Sequence, residues 1–339
     1  MKGSKIVKSI LLIISLAAAY CASGTAVSAE ELVVYSSRKQ HLVKPVFDAY
    51  EKKTGIKILS VTDKAPALVE RLKAEGKRSR ADIYMTVDAG NLWNAAEKGL
   101  LKPIKSETLS SNIPDHLRDP NGNWFGLTIR ARTIVYAPER VKVAELKDYR
   151  SLGLPKWKKR LCLRTAKKVY NQSLVAMLIS DYGEKEAESI VTSWVANLAT
   201  KVFPNDNAVI KAVAAGQCDV GIVNSYYFGR LKKKDPGLKV ALFFPKQSTG
   251  GVHVNISGAG IVSTSKNVAK ATKFLEWMSG DDAQKILAEL NHEYPVKNGV
   301  PTSDLVKSWG VLEENKNNLR QAGELQGAAI KLMDRVGYR

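Results

Sequence analysis

The stretch LVVYSSRKQHLVKPVFDAYEKKTGIKIL, residues 32–59, predicts the fold class of this chain. It begins with an apolar strand over residues 32–35 and continues with an amphipathic helix over residues 42–53, which Gly55 ends. A second strand closes it over residues 56–59, and the same alternation of strand and helix continues directly afterwards. Repeated β-α-β units pack as a parallel sheet with helices on its faces, so we expect an α/β protein.

Two extended runs divide the predicted fold into two lobes. The first run covers residues 128–136 and the second lies near residues 252–262, with another β/α region between them. We assign residues 30–129 with 253–310 to the N-terminal lobe, and residues 130–252 with 311–339 to the C-terminal lobe. Two lobes joined by two extended hinge crossovers enclose a cleft, in which loops at strand ends meet a ligand.

The N-terminus has the pattern of an export signal. Three lysines stand among the first eight residues, an apolar segment covers residues 10–19, and a small-residue cleavage site ends at Ala29. The apolar segment is too short to span a membrane. We therefore expect residues 1–29 to be a signal peptide, cleaved after Ala29, and the mature chain to be located in the periplasm. An export signal on two hinged lobes is typical of a periplasmic binding protein.

The chain carries a formal charge of +19. The signal contains three lysines and no acidic residue, so the mature chain carries about +16 (19 − 3). Such a charge favours anionic partners, although lysines that only coat an exposed surface give the same count. Since there is no arginine-rich tail or basic–aromatic repeat, we expect no nucleic-acid partner. We also expect the protein to be a monomer.

Cys162 and Cys218 remain after the signal is removed. An even number of cysteines in an exported chain permits one disulfide. Both cysteines lie in strand-like runs, and their pairing requires adjacent strands with close Cα atoms. The sequence leaves a disulfide and two free thiols as open alternatives.

Two adjacent tyrosines, Tyr226 and Tyr227, follow an apolar strand over residues 220–223. We expect them in the loop after that strand, where two neighbouring phenols are able to turn toward one point. Tyr170 also lies between a predicted strand and a predicted helix of the same lobe. A lone tyrosine at such a place more often packs than binds, but three at neighbouring strand ends form a candidate metal site.

Three ionised phenols carry three negative charges, which matches a hard trivalent ion. Hard ions prefer anionic oxygen, whereas soft ions prefer thiolates and intermediate divalent ions suit imidazole. Free tyrosine has a pKa of about 10, so only a strong cation ionises three of them at neutral pH. The sequence thus favours Fe³⁺. No run of Asp and Glu resembles a calcium loop, and the four histidines are not clustered, which disfavours zinc.

Two arginines are candidates for binding an anion that completes the coordination of the ion. Arg38 follows the first strand and Arg130 lies on the first crossover, with Arg132 as an alternative on the same strand face. Guanidinium groups bind planar oxyanions such as carbonate through two parallel hydrogen bonds. His41, close after Arg38, is either a further metal ligand or a surface histidine.

These segments resemble the periplasmic ferric-iron-binding proteins of ABC transporters, a family with the type II periplasmic-binding fold. The matching motifs are YSSR at 35–38, ADI at 81–83, GLTIRAR at 126–132, YNQSL at 170–174 and NSYYFGR at 224–230. The resemblance covers essentially the whole mature chain. It implies that Tyr170, Tyr226 and Tyr227 bind iron in the cleft, and that the protein delivers the iron to an inner-membrane ABC permease.

Members of that family differ in their other ligands. Some add a His and a Glu, but the matching positions here are Lys39 and Val87. Others place a His-Tyr pair after the arginine, where this chain has Lys39 and Gln40. The chain is more similar to members that use three tyrosines and a synergistic anion, and His41 would be a ligand only if it is displaced by a turn.

Two other functions are compatible with parts of this pattern. The same fold, with its positive charge and Arg38, suits a small oxyanion such as phosphonate or sulfate as the ligand. An exported hydrolase requires a nucleophile beside an oriented base, yet the chain has no Gly-x-Ser-x-Gly elbow and no His-Glu-x-x-His motif. We therefore expect a binding protein and not an enzyme.

Overall fold

A computed structural model describes residues 30–246 and 250–339 of the chain. The predicted signal peptide, residues 1–29, lies outside the described residues. In the part of the chain that the structure describes, no helix is both long enough and apolar enough to span a membrane.

Strands and helices alternate along the described residues. The strands are β1 (Glu31–Ser36), β2 (Lys57–Thr62), β3 (Ile83–Val87), β4 (Leu101–Lys102), β5 (Phe125–Tyr136), β6 (Leu161–Cys162), β7 (Val220–Asn224), β8 (Ala241–Phe243) and β9 (Val254–Val262). The α-helices are α1 (Lys44–Thr54), α2 (Ala65–Glu75), α3 (Ala89–Glu97), α4 (Glu107–Asn112), α5 (Val169–Tyr182), α6 (Glu184–Ala196), α7 (Asp206–Ala214), α8 (Ser225–Lys234), α9 (Val268–Met278), α10 (Asp281–Asn291), α11 (Asp304–Lys307), α12 (Gln321–Glu324) and α13 (Gln326–Arg335).

One mixed sheet connects these strands in the order β2-β1-β3-β9-β5-β7-β6, with β4 paired to β9 and β8 paired to β5. β1 pairs in parallel with β2 and β3, and β6 pairs in parallel with β7, as β-α-β units require. The long strands β5 and β9 run antiparallel to each other in the middle of the sheet. The predicted α/β class is confirmed, and β5 and β9 coincide with the two predicted extended runs.

Strand β5 belongs to both halves of the sheet. Its residues 125–131 pair with β9, and its residues 132–136 pair with β7. Every residue of β5 is buried, which fits a strand that has neighbours on both edges and cover on both faces. The chain therefore passes from the first β/α half to the second within one continuous strand.

Local sequence explains where several helices begin and end. Helix α2 covers residues 65–75, has a proline in its first turn and ends at Gly76. Gly55 ends α1 with a φ of 76°, a left-handed conformation that glycine adopts without steric cost. Helix α1 begins at Lys44 and not at residue 42, because residues 40–42 form a separate 3₁₀ turn.

The C-terminal helices contact both halves. Helix α12 packs against α3 and α5, and α13 packs against α5 and α6. Gly323 permits the close approach of α12 to α3, because a Cβ at this position would lie 2.5 Å from the Cβ of Trp93. The assignment of residues 311–339 to the second lobe stays a prediction.

Cys162 and Cys218 form a disulfide, with an S–S distance of 2.07 Å and Cα atoms 5.9 Å apart. Cys162 lies on β6, and Cys218 lies just before β7, the strand that pairs with β6. The sequence left this pairing open because it does not show which strands are neighbours. The bond fixes the strand that leads to Tyr226 and Tyr227.

Removing this disulfide is expected to destabilise the protein. Replacing both cysteines removes a crosslink between residues 56 positions apart, which corresponds to roughly 2–4 kcal/mol of unfolding free energy. Urea denaturation of the oxidised wild type and of Cys162→Ala/Cys218→Ala measures the difference. Unchanged stability in the variant would show that the bond does not stabilise the fold.

Candidate metal centre

The three predicted tyrosines lie at one cavity of about 210 Å³. The hydroxyl of Tyr226 donates a hydrogen bond to the hydroxyl of Tyr170 over 3.3 Å. The ring centroids of Tyr226 and Tyr227 are 4.3 Å apart. Tyr170 and Tyr226 are buried and Tyr227 is half-buried. The fold thus brings together all three tyrosines that the sequence singles out.

The prediction that Tyr226 and Tyr227 lie in a loop is wrong. β7 ends at Asn224 and α8 begins at Ser225, so both tyrosines occupy the first turn of a helix. Asn224 keeps an extended backbone and the next residue is already helical, so the chain passes from strand to helix without a loop. Successive side chains of a helix are about 100° apart, which allows two adjacent rings to face one cavity. Tyr170 likewise lies in the first turn of α5.

A buried polar network fixes the start of both helices. The guanidinium of Arg132 donates to the carboxylate of Asp206 over 2.8 Å. It also donates to the amide oxygens of Asn224 over 3.2 Å and Asn171 over 2.6 Å. Asn224 immediately precedes α8 and Asn171 lies in the first turn of α5. Asp206 further accepts hydrogen bonds over 3.0 Å from the side chain of Arg164 and from the backbone NH of Asn224.

Burial makes Tyr170 and Tyr226 hard to ionise without a cation. It raises the pKa of Tyr170 to about 12 and raises the pKa of Tyr226 well above its usual value. Arg130 opposes burial at both residues, because a nearby positive charge favours the phenolate. At neutral pH Tyr170 and Tyr226 therefore stay protonated in the free protein, and a bound ion must displace their protons.

Positively charged side chains surround the tyrosine rings. The guanidinium carbons of Arg130 and Arg164 lie 5.3 and 5.5 Å from the ring centroid of Tyr170. The ammonium of Lys168 lies 4.9 Å from the same centroid. Arg230 lies 5.1 and 5.9 Å from the centroids of the other two rings. Such contacts are favourable with a neutral ring, and Coulomb attraction strengthens them when the phenol becomes an anion.

The predicted anion-binding arginines, Arg38 and Arg130, line the same cavity. Some of their N–H groups already donate hydrogen bonds within the protein. Nη1 of Arg38 donates to the carboxylate of Glu293 over 3.0 Å. Both terminal nitrogens of Arg130 are used, one by Ser257 over 2.9 Å and the other by the carbonyl of Ile256. Arg130 therefore does not offer two free terminal nitrogens to an anion. The buried Nε atoms of both arginines have no hydrogen-bond partner among the described residues.

Glu293 is a buried carboxylate of this cavity that the sequence did not reveal. Besides Arg38, its partners are Asn291, which donates over 2.8 Å, and Arg130, whose Nη1 lies 4.0 Å away. Burial alone would raise the pKa of Glu293, but Arg38 and Arg130 outweigh burial and hold that pKa below its usual value. Glu293 is thus ionised at neutral pH and acts as the internal counterion of the arginine pair. It lies 255 residues from Arg38, so no local motif could have identified it.

The other residues considered from the sequence either do not line the cavity or offer no anionic oxygen to a metal ion. Arg132 is engaged in the network around Asp206 and does not line the cavity. His41 is exposed and does not line the cavity either. Lys39 and Val87 do line it, although neither side chain offers an anionic oxygen to a hard cation.

The donor atoms of the cavity define the kind of ion that it suits. Its ionisable oxygens belong to the three tyrosines and to Glu293. Throughout residues 30–246 and 250–339, no group of three or more His, Cys, Asp or Glu side chains is placed to hold a metal ion. Anionic oxygen without imidazole or thiolate suits a hard ion.

A two-lobed α/β fold with a polar cleft between its halves is the architecture of an extracytoplasmic solute-binding protein. The family model described as bacterial extracellular solute-binding protein matches residues 46–314, and the chain belongs to this family. It is therefore a solute-binding protein of a transport system and not an enzyme.

Similar proteins carry names that refer to iron. Iron uptake protein A1 of Synechocystis sp. is 41% identical over 316 residues, which cover 91% of this chain and 88% of that protein. A structure of Trichodesmium IdiA (FutA) in complex with iron and citrate ligands is 45% identical, with a TM-score of 0.88 over 91% of this chain and 100% of that chain. Mannheimia haemolytica ferric iron-binding protein A in an open conformation is 39% identical, with a TM-score of 0.86 over 91% of this chain and 99% of that chain. The predicted two-lobed periplasmic-binding fold is confirmed.

Glu293→Ala is expected to destabilise the fold, because it leaves Arg38 and Arg130 buried without their carboxylate. Removing one partner of a buried ion pair costs roughly 3–5 kcal/mol of unfolding free energy. Urea unfolding measures this loss. Glu139→Ala, which removes an exposed ion pair with Lys239, is the matched control and should leave the midpoint unchanged. Equal midpoints for Glu293→Ala and wild type would contradict the counterion role.

Proposed function

We propose that this protein captures Fe³⁺ in the periplasm and delivers it to an ABC permease of the inner membrane. The ion is bound by the phenolates of Tyr170, Tyr226 and Tyr227. The observation that carries the proposal is the convergence of these three phenols, from the first turns of two helices, on one cavity. The names of the similar proteins, which refer to iron uptake and ferric iron binding, support it.

The charge of the ion decides which cations this set of ligands accepts. Three phenolates carry three negative charges, so a trivalent ion leaves the ligand set without net charge. Because burial raises the pKa of Tyr170 and Tyr226, a weakly polarising cation does not ionise them at neutral pH. Ions that prefer imidazole or thiolate find neither among the residues that line the cavity.

A small anion such as carbonate completes the coordination in this proposal. The Nε atoms of Arg38 and Arg130 are buried donors without a partner among the described residues, and an unpaired buried donor favours a ligand that accepts its hydrogen bond. Glu293 already neutralises part of the positive charge of this pair. We leave His41 out of the proposed ligand set, because it is exposed and does not line the cavity.

Capture and delivery require that the cleft opens and closes. The strands β5 and β9 connect the two halves, so a hinge within them moves Arg38 and Arg130 relative to the tyrosines. The permease then recognises the closed form that bound iron stabilises. Protonation of the phenols, reduction of the iron or loss of the anion releases the ion.

Tyr170→Phe tests the proposed ligand set. Deleting one of three anionic ligands is expected to lower the affinity for Fe³⁺ by at least about 100-fold. This is more than is usually caused by losing a residue that only hydrogen-bonds to a metal ligand. Titration of the apoprotein with ferric nitrilotriacetate in bicarbonate, followed by the visible tyrosinate-to-iron charge-transfer band, measures it.

The control is Tyr84→Phe, which removes a buried hydroxyl that does not line the cavity. It should bind iron as the wild type does. If the true ligand is a phosphonate or sulfate, no visible band appears in the wild type and Tyr170→Phe keeps its affinity for the oxyanion.

Iron binding is expected to strengthen steeply as the pH rises. Burial raises the pKa of Tyr170 to about 12 and also raises that of Tyr226, so protons must leave when iron binds. Displacing three protons raises the affinity for Fe³⁺ by up to about 1000-fold per pH unit, roughly ten-fold for each proton. Competition against nitrilotriacetate at several pH values, corrected for protonation of the chelator, counts the protons. A count of one or fewer is incompatible with three phenolate ligands.

A further inference from the structure

One buried hydrogen bond connects the tyrosine-bearing helix α5 to the first β/α half of the protein. The hydroxyl of Ser173, in α5, donates to Oδ1 of Asp88 over 2.6 Å. Asp88 lies between β3 and α3, 85 residues before Ser173 in the chain. Both residues are 0% exposed, so bulk water does not compete for this bond. The bond is therefore a fixed contact between the two halves at the back of the tyrosine cavity.

Ser173 is placed to control the position of Tyr170. The two residues are three positions apart in α5, so their side chains lie on one face of the helix, about one turn from each other. Lys168, the residue before α5, makes no capping hydrogen bond with its side chain. The position of the first turn therefore depends on contacts such as those of Asn171 and Ser173.

Asp88 is itself held by the strand that supports Arg130. Its backbone NH donates to the carbonyl of Ile256 over 2.8 Å. The NH of Ala89 donates to the side chain of Asn255 over 2.9 Å. Asn255 is the partner of Arg130 in the sheet, and Arg130 also donates to the carbonyl of Ile256. Asp88 thus joins the segment of β9 that holds Arg130 to helix α5.

The backbone at Asp88 is constrained. Its φ is 80°, in the left-handed region that residues other than glycine seldom adopt. Such conformations persist where the surrounding contacts impose them, and they are concentrated at functional sites. Oδ1 of Asp88 also accepts from the backbone NH of Gly90 over 3.0 Å, which caps α3. Burial raises the pKa of Asp88, and the charge of Arg130 opposes this rise.

We propose that Asp88 is a positioning residue for the iron site, which acts on Tyr170 through Ser173. This inference rests on the proposed function, in which Tyr170 is a ligand of Fe³⁺. The hydrogen bond holds the start of α5 in one position relative to Arg130, so that the phenol stays where the ion and its anion meet. Neither Asp88 nor Ser173 lines the tyrosine cavity, so neither of them binds the ion directly.

Ser173→Ala tests the proposal, because it removes the hydrogen bond to Asp88 with little change in volume. The affinity for Fe³⁺ should fall roughly ten-fold, at the lower end of what the loss of a residue outside the ligand set causes at metal sites. The charge-transfer band should also change its maximum, because Tyr170 moves relative to the ion. Competition against nitrilotriacetate in bicarbonate gives the affinity, and the visible spectrum of the iron-loaded protein gives the band.

The matched control is Ser265→Ala, which removes a buried hydrogen bond of 2.7 Å from Ser265 to the carboxylate of Asp82. Neither of these residues lines the tyrosine cavity. Both variants should lose stability in urea, but the control should keep the affinity and the band of the wild type. Wild-type affinity and band in Ser173→Ala would overturn the positioning role of Asp88. Equal losses of affinity in both variants would do the same, because they would assign the effect to stability.

Asp88→Asn separates the hydrogen bond from the charge of Asp88. Asparagine keeps an oxygen that accepts from Ser173, caps helices well and tolerates a left-handed backbone. This variant should therefore keep the band maximum of the wild type. A maximum displaced as in Ser173→Ala would show that the charge, and not the bond, sets the site, which contradicts the proposal. Absence of a visible band in the iron-loaded wild type would instead refute the proposed function.

Discussion

The candidate site depends on the buried ion pair between Arg132 and Asp206. Their side chains are only 2% and 0% exposed, and a buried charge is costly unless its partner and its hydrogen bonds are present. Here the terminal nitrogens of Arg132 also bind Asn171 and Asn224, the residues at the start of the two tyrosine-bearing helices. A hydrophobic pair of equal volume could stabilise the core to the same extent. Such a pair would not hold these two helix starts in one relative position. That fixed position is what places the three phenols at one cavity.

The same strand positions the opposite wall of the site. Arg130 and Arg132 lie two residues apart on β5, on one face of the strand by the alternation of side chains. The segment around Arg130 pairs with β9 and that around Arg132 pairs with β7. Arg130 donates to Ser257 and Arg132 to Asp206. A bend of β5 at Ala131 would therefore move Arg130 relative to the tyrosines while each arginine keeps its own partners.

Local sequence patterns predicted most of the fold but only some of the residues of the candidate site. Helix α1 was predicted at residues 42–53 and forms at Lys44–Thr54, because its apolar pattern and the glycine that ends it are local signals. The helical start at Ser225 was missed, since two tyrosines after an apolar strand give no cap signal. Glu293 and the disulfide of Cys162 could not be assigned, because both depend on contacts with residues far along the chain. The chemistry of the phenol group identified the tyrosines from the sequence. Only the fold showed that Arg132 holds the start of their helices and that Glu293 is the counterion of Arg38 and Arg130 in the same cavity.

If the phenols are the ligands proposed above, two opposing effects on their ionisation explain how a transport protein can bind a trivalent ion tightly and still release it. Burial raises the pKa of Tyr170 and Tyr226, which keeps them neutral in the free protein, while Arg130 lowers the cost of ionising them. If burial acted alone, the ion would have to supply all of the free energy of ionisation. If the cations dominated, phenolates would form in the empty cleft and attract weaker cations. The balance makes ionisation conditional on a strongly charged ion, so loss of that charge by reduction, or an external supply of protons, returns the phenols to their neutral state.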